Sequence, residues 1–316
     1  MDTPQTIEHR IQLDNRCQLA KEKLEIFARL FVELLPIAVI PNATHLKRII
    51  FIADDEMEPT VNEILQEDEA MAGSYSSGET AAPATAVPIE KDGDLWCYIL
   101  LRKSDVELLS TERYHPWSLV SSLLEELCHV RLYSTTWGRR GSIHPPHLLS
   151  AQERDLFVLC TNFHDEYAVA RLKTSILTTV QLVDGEGGLT VAYPRYGRKI
   201  PPMLEQAAVN LRKTVLSTSS SFERQNRLLP IVYRGVFEPL GRDAGFRAAT
   251  PPAALQSEDR PTESLFFRDH VFSYWEQVNK QLELSFESNF TQTDVALGEI
   301  TSIIESFLTS IENLYR

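Results

Sequence analysis

The run Arg48-Ile-Ile-Phe-Ile-Ala-Asp54 constrains the architecture more than any other stretch of the chain. It is compact, β-branched and aromatic, and it reads as a strand buried in a sheet. Trp96-Cys-Tyr-Ile-Leu-Leu101 is a second strand of the same kind. Between them the spacing predicts a short helix over 57–67. Then comes Ala72-Gly-Ser-Tyr-Ser-Ser-Gly-Glu-Thr-Ala-Ala-Pro-Ala-Thr85, small and polar without periodicity, which reads as a surface loop.

The remainder is dominated by helical spacing. Leu19, Leu24, Ile26, Phe27, Leu30, Phe31 and Leu34 predict one amphipathic helix over 5–35. Pro116 opens another, where its missing N–H is harmless. That helix runs to about Tyr133 and is stopped by Thr135-Thr136-Trp137-Gly138. Residues 152–180 form one long helix or two joined near Asn162. A turn at Gly185–Gly188 and a short strand at Leu189–Tyr193 follow. From 202 onward the pattern is helical, with a turn at Ser217–Ser221 and a loose segment at 242–262. In the last helix Ile300, Ile304, Phe307, Ile311 and Leu314 make an apolar seam, buried either in this chain's core or in an oligomer. The fold class is α+β: an N-terminal helical segment (1–45), an α+β core (46–200) and a mainly helical C-terminal region (201–316).

Composition narrows the partners. Lys and Arg number 31 against 44 Asp and Glu, a net charge of −13 over 316 residues. Such a surface repels phosphate backbones and anionic headgroups, so nucleic acid and membrane surfaces are not the expected partners. No stretch approaches the ~20 apolar residues of a spanning helix, and the polar N-terminus carries no secretory signal. Cys17, Cys97, Cys128 and Cys160 are widely spaced, which suits buried thiols in the cytoplasm better than a disulfide framework.

The chemistry concentrates in Ser121-Ser-Leu-Leu-Glu-Glu-Leu-Cys-His-Val130. Residues four apart share a helix face, so Glu125 and His129 point the same way with Glu126 beside them. A carboxylate and an imidazole one turn apart are able to chelate one metal ion. Elsewhere, Cys160 with His164 and the loop His144-Pro-Pro-His147 offer weaker ligand pairs. Glu112-Arg-Tyr-His115 repeats the Glu-x-x-His spacing of di-iron bundles but precedes its helix. No Gly-x-Gly-x-x-Gly, Gly-x-x-x-x-Gly-Lys or Gly-x-Ser-x-Gly motif is present.

Glu125-Glu126-Leu127-Cys128-His129 resembles the zincin metallopeptidase motif His-Glu-x-x-His with glutamate in place of the first histidine. The strands before it and Asp165-Glu166-Tyr167-Ala168-Val169-Ala170-Arg171 after it are similar to the gluzincin pattern. The resemblance covers at most residues 46–180. It implies a zincin-like core with a small sheet and a motif helix, and hydrolysis of a peptide or protein bond. Glu125 and His129 would ligate the metal, Glu166 or His164 would complete the set, and Glu126 would be the base that activates a metal-bound water. Zinc is the family's metal. The extra carboxylate tilts preference towards manganese or iron, and leaves open altered metal use or lost catalysis. The alternative is a non-catalytic scaffold that binds a partner protein through this core and the C-terminal helices.

Overall fold

The computed structural model describes residues 5–7, 11–38, 43–68, 84–109, 117–144, 151–180, 198–218, 220–250 and 261–316. The chain divides into two compact units, Met1–His144 and Pro145–Arg316. The segment 46–200 expected as one core therefore contributes to both.

The first unit is mixed α and β. In chain order it holds β1 (Gln5–Ile7), β2 (Ile11–Asn15), α1 (Lys21–Ala38), β3 (Leu46–Ile52), α2 (Met57–Leu65), β4 (Ala84–Lys91), β5 (Asp94–Arg102), α3 (Lys103–Glu107) and α4 (Trp117–Arg140). The strands form one sheet in the order β1-β2-β3-β5-β4. The central pairs, β2–β3 and β3–β5, are parallel; the outer pairs are antiparallel. Ile49, Ile50, Phe51 and Ile52 are all fully buried, because both faces of the sheet are covered. On one face Phe51 meets the Phe27 ring of α1 edge-on at 4.9 Å. On the other, Ile50, Ile52, Tyr98 and Leu100 pack with Met57, Val61 and Ile64 of α2.

Three local expectations change. Residues 5–7 and 11–15 form strands, so the first helix begins only at Lys21. Ile11 and Leu13 are buried while Gln12 and Asp14 are less so, an alternation of period two, and Gln18 in left-handed backbone (φ 57°) breaks the chain before α1. The helix α4 runs on to Arg140 and stops at Gly141, whose φ of 66° ends a helix without strain. The strand β4 was not expected. It is joined to β5 by Asp92-Gly93, both left-handed (φ 55° and 70°), the backbone of a tight hairpin turn.

The described elements of the second unit are helices: α5 (Ala151–Val180), α6 (Ile200–Ser217), α7 (Ser221–Val232), α8 (Glu238–Ala249), α9 (Phe272–Glu287) and α10 (Thr293–Tyr315). The expected break at Ser217–Ser221 falls between α6 and α7, with Ser220 Oγ capping α7 at Glu223 N. Residues 152–180 lie in one helix. The expected turn at 185–188 and strand at 189–193 lie outside the described residues, as does most of the 72–85 loop.

The segment expected to be loose from 242 is instead α8 up to Ala249. Its Gly241 and Gly245 lie one turn apart and let α8 come down on α5. A Cβ at Gly241 would stand 2.5 Å from the Phe163 ring, and one at Gly245 would run into the Tyr167 carbonyl. Ile300, Ile304, Phe307 and Ile311 of α10 are buried in this unit's own core, leaving only Leu314 of the seam exposed. Of the two burials the seam allowed, the core of this unit is the one it takes.

No described helix is long and apolar enough to cross a membrane. None of the four cysteines is in a disulfide, and burial pushes the Cys160 thiol up to about 12.

Candidate functional site

The helix α4 holds Glu125, Glu126 and His129 because its other side is apolar: Leu123, Leu124, Leu127 and Val130 are fully buried. Glu125 and His129 are half-buried and one turn apart, as the spacing predicts. The His129 ring stacks on Tyr133 at 5.9 Å.

Glu126 is buried, with 8% of its surface exposed, and Oε2 accepts a hydrogen bond from the backbone N–H of Ala86 at 2.6 Å. Ala86 belongs to β4, the edge strand. In an antiparallel pair a residue's N–H and C=O point the same way. With Ala86 turned from β5 towards Glu126, the next outward position is Pro88, which has no N–H to offer. A bound peptide strand would find one outward amide of β4 already occupied and the next one missing. The carboxylate that would be the base thus holds the strand that would hold the substrate.

His164 and Glu166 lie on α5, in the second unit, and each is engaged there. His164 is buried; Nδ1 is 3.1 Å from Asp165 Oδ1 and Nε2 is 2.8 Å from Ser285 Oγ on α9. Ser285 Oγ lies 2.9 Å from Thr293 Oγ1 at the start of α10. Asp–His–Ser connectivity of this kind is the geometry of a hydrolytic triad. Here Ser285 is fully buried, so its hydroxyl meets no substrate arriving from solvent, and the network serves to tie α5 to α9 and α10. Glu166 is paired with Arg242 of α8 at 2.6 Å, and Arg242 also lies 3.8 Å from Glu238. Burial pushes the Glu238 carboxyl above its usual range, with Arg242 opposing the shift.

Among the described residues no group of three or more His, Cys, Asp or Glu side chains is placed to hold a metal ion. Both ring nitrogens of His164 are hydrogen-bonded and Glu166 faces a guanidinium, so neither is poised as a third ligand. Of the weaker pairs, Cys160 and His164 are both buried on α5. His144 is 3.0 Å from Asp68 and 3.8 Å from Glu90, whose Oε1 takes hydrogen bonds from Ser142 Oγ and Ile143 N. His147 and Glu112–His115 lie outside the described residues.

Sequence reasoning passed over Ser285, Arg242 and Ala86, since each acts through a partner remote in the chain. Only the Gly241–Gly245 spacing, a small residue at each end of one helical turn, carried a readable signal. No family model, no curated protein and no solved structure matches the chain.

Proposed function

We propose that this protein is a non-catalytic interaction scaffold, built on a degenerate zincin-like core with a helical C-terminal region that binds a partner protein. The hydrogen bond from Ala86 N–H to Glu126 Oε2 carries the reading. A general base needs a free lone pair directed at a water, and one oxygen of the buried Glu126 carboxylate is committed to the sheet edge. The substitution of glutamate for histidine at Glu125 points the same way, since a second anionic ligand weakens a metal's pull on water.

The metallopeptidase reading keeps one observation in its favour, the half-buried Glu125 and His129 one turn apart on α4. Metal analysis of untagged protein, paired with a peptide-hydrolysis assay in added zinc, manganese or iron, separates the two. The scaffold reading expects no stoichiometric metal and no turnover. Metal that disappears in His129→Ala, with hydrolysis abolished in Glu126→Gln, refutes it.

A further inference from the structure

Residues 198–235 run against the charge of the whole molecule. They hold seven cationic side chains and two carboxylates in a chain of net charge −13. Arg198, Lys199, Arg212, Lys213, Arg227 and Arg234 are all exposed. Both carboxylates are engaged: Glu223 pairs with Arg227 at 2.5 Å, and Glu205 accepts from Ser264 Oγ at 2.6 Å and Phe266 N at 3.1 Å.

Within this basic stretch of chain lies an open groove of about 400 Å³, between α6 and the segment from Pro230 to Gly235. A groove of this volume falls in the ~300–1,000 Å³ range of ordinary ligand sites. Met203, Ala207, Pro230 and Ile231 give it apolar walls, and Arg234 stands at its rim. Gly235 deepens it: a Cβ there would lie 2.8 Å from the Ala207 Cβ, so the two segments meet backbone to methyl and leave the space above them open. The groove is built where the helix widens into a π-turn over Tyr233–Phe237, a departure from α geometry often found at functional positions.

We infer that this groove receives an acidic amphipathic helix of a partner protein, its apolar side chains seated against Met203 and Ile231 and its carboxylates facing Arg234 and the exposed cations of α6 and α7. The apolar walls favour a peptide over a polynucleotide, because no lining residue is aromatic and bases find no stacking platform. The concave shape favours a helix over a flat lipid surface, as in other helix-in-groove complexes. This inference rests on the scaffold reading and names the chemistry of the partner.

The probe is a fluorescein-labelled, helix-stabilised peptide about 20 residues long, Leu on one face and Glu on the others. Its control has the same composition with the leucines scattered. Binding to the full chain is read by anisotropy and located by the methionine methyl signals, of which Met203 is one of four. We expect saturable binding that shifts the Met203 signal, weakens in raised salt, and falls at least about tenfold in Met203→Glu and in Arg234→Glu. Both residues are exposed, and an unchanged circular dichroism melt confirms that the variants fold.

Equal binding of the scattered peptide, absence of binding, or insensitivity to both substitutions overturns the inference. So does an oligonucleotide or an anionic vesicle that binds through Arg234 where the peptide does not. Concentration-dependent self-association lost in Met203→Glu also overturns it, assigning the groove to a second copy. Failure here in a protein free of metal and hydrolytic activity leaves the scaffold reading standing, whereas metal-dependent turnover removes that reading whatever the peptide does.

Discussion

Substituting Gly245 by alanine tests the packing that holds the second unit together, and its sign separates two opposing effects. Alanine is favoured over glycine inside a helix by about 1 kcal/mol, so α8 taken alone gains. Against that, the new Cβ would meet the Tyr167 carbonyl of α5 closer than the 3.0 Å that real Cβ atoms essentially never breach, with Ala170 Cβ and Arg171 N each at 3.1 Å. Two of these three neighbours are backbone atoms of a helix and cannot swing aside. Ordinary contact begins at 3.4 Å, so α5 and α8 must part by several tenths of an ångström along their whole crossing.

Overpacking a close-packed interior typically costs ~1–3 kcal/mol. With rigid backbone as the obstacle we take the upper part of that range, which leaves a net loss of about 1–2 kcal/mol after the helical gain. Gly298 on α10 is the internal control, with nothing within 4 Å of an added Cβ, so Gly298→Ala should stabilise by up to about 1 kcal/mol. Gly241→Ala presses on the Phe163 ring at the same crossing. Combined with Gly245→Ala it should lose less than the sum, because helices already parted accommodate the second methyl. Urea unfolding with hydrogen-exchange mass spectrometry on peptides from α5, α8 and α10 reads each effect locally. Stabilisation by Gly245→Ala equal to that of Gly298→Ala would refute the close crossing.

Glu126→Ala strands a buried N–H of the edge strand and should destabilise by about 1.5–3 kcal/mol in urea, with Glu126→Gln retaining part of the bond. A stabilised Glu126→Gln, the usual behaviour of a removed catalytic charge, counts against its role as a tether. Ser285→Ala leaves a His164 nitrogen unsatisfied and should cost about 1–3 kcal/mol, while labelling of the native protein by an active-site fluorophosphonate should be absent. Reaction at Ser285 would show that its burial is not permanent. His45 is buried with Nδ1 3.0 Å from Ser134 Oγ, and burial lowers its pKa from 6.5, against the opposing pull of Asp94. The folded state therefore binds its proton less readily than the unfolded chain. Its contribution is fully present above pH 6.5 and is lost as pH falls through the folded pKa. Melting temperatures of His45→Gln should fall less steeply than wild type below pH 6.5, and parallel profiles would refute the assignment.

Where local pattern and environment agree, the sequence could be read directly. The run Ile49–Ile52 is buried on both faces as its composition requires, and α2 and α5 stand where their spacing puts them. Misreadings arose where a weak local signal lay beside a strong one. Ile11 and Leu13 were absorbed into the helical period that follows them. Asp92-Gly93 was a hairpin signal overlooked, and with it β4, the strand that meets Glu126. The Ala- and charge-rich stretch after Arg242 looked loose until Gly241 and Gly245 brought it onto α5.

The candidate site shows the same division. Sequence alone set Glu125 and His129 on one face of a helix, because 3.6 residues per turn leaves no other arrangement. It could not say what each acid or imidazole would face. Ser285 lies 121 residues from His164 in the chain, Ala86 lies 40 from Glu126, and Arg242 reaches Glu166 from another helix. A hydrogen bond is decided by which donor the fold carries to within 3 Å, and helical periodicity holds no record of that. The sequence therefore determined which groups were able to do chemistry, and tertiary packing decided that Glu126, His164 and Glu166 are bound into the fold.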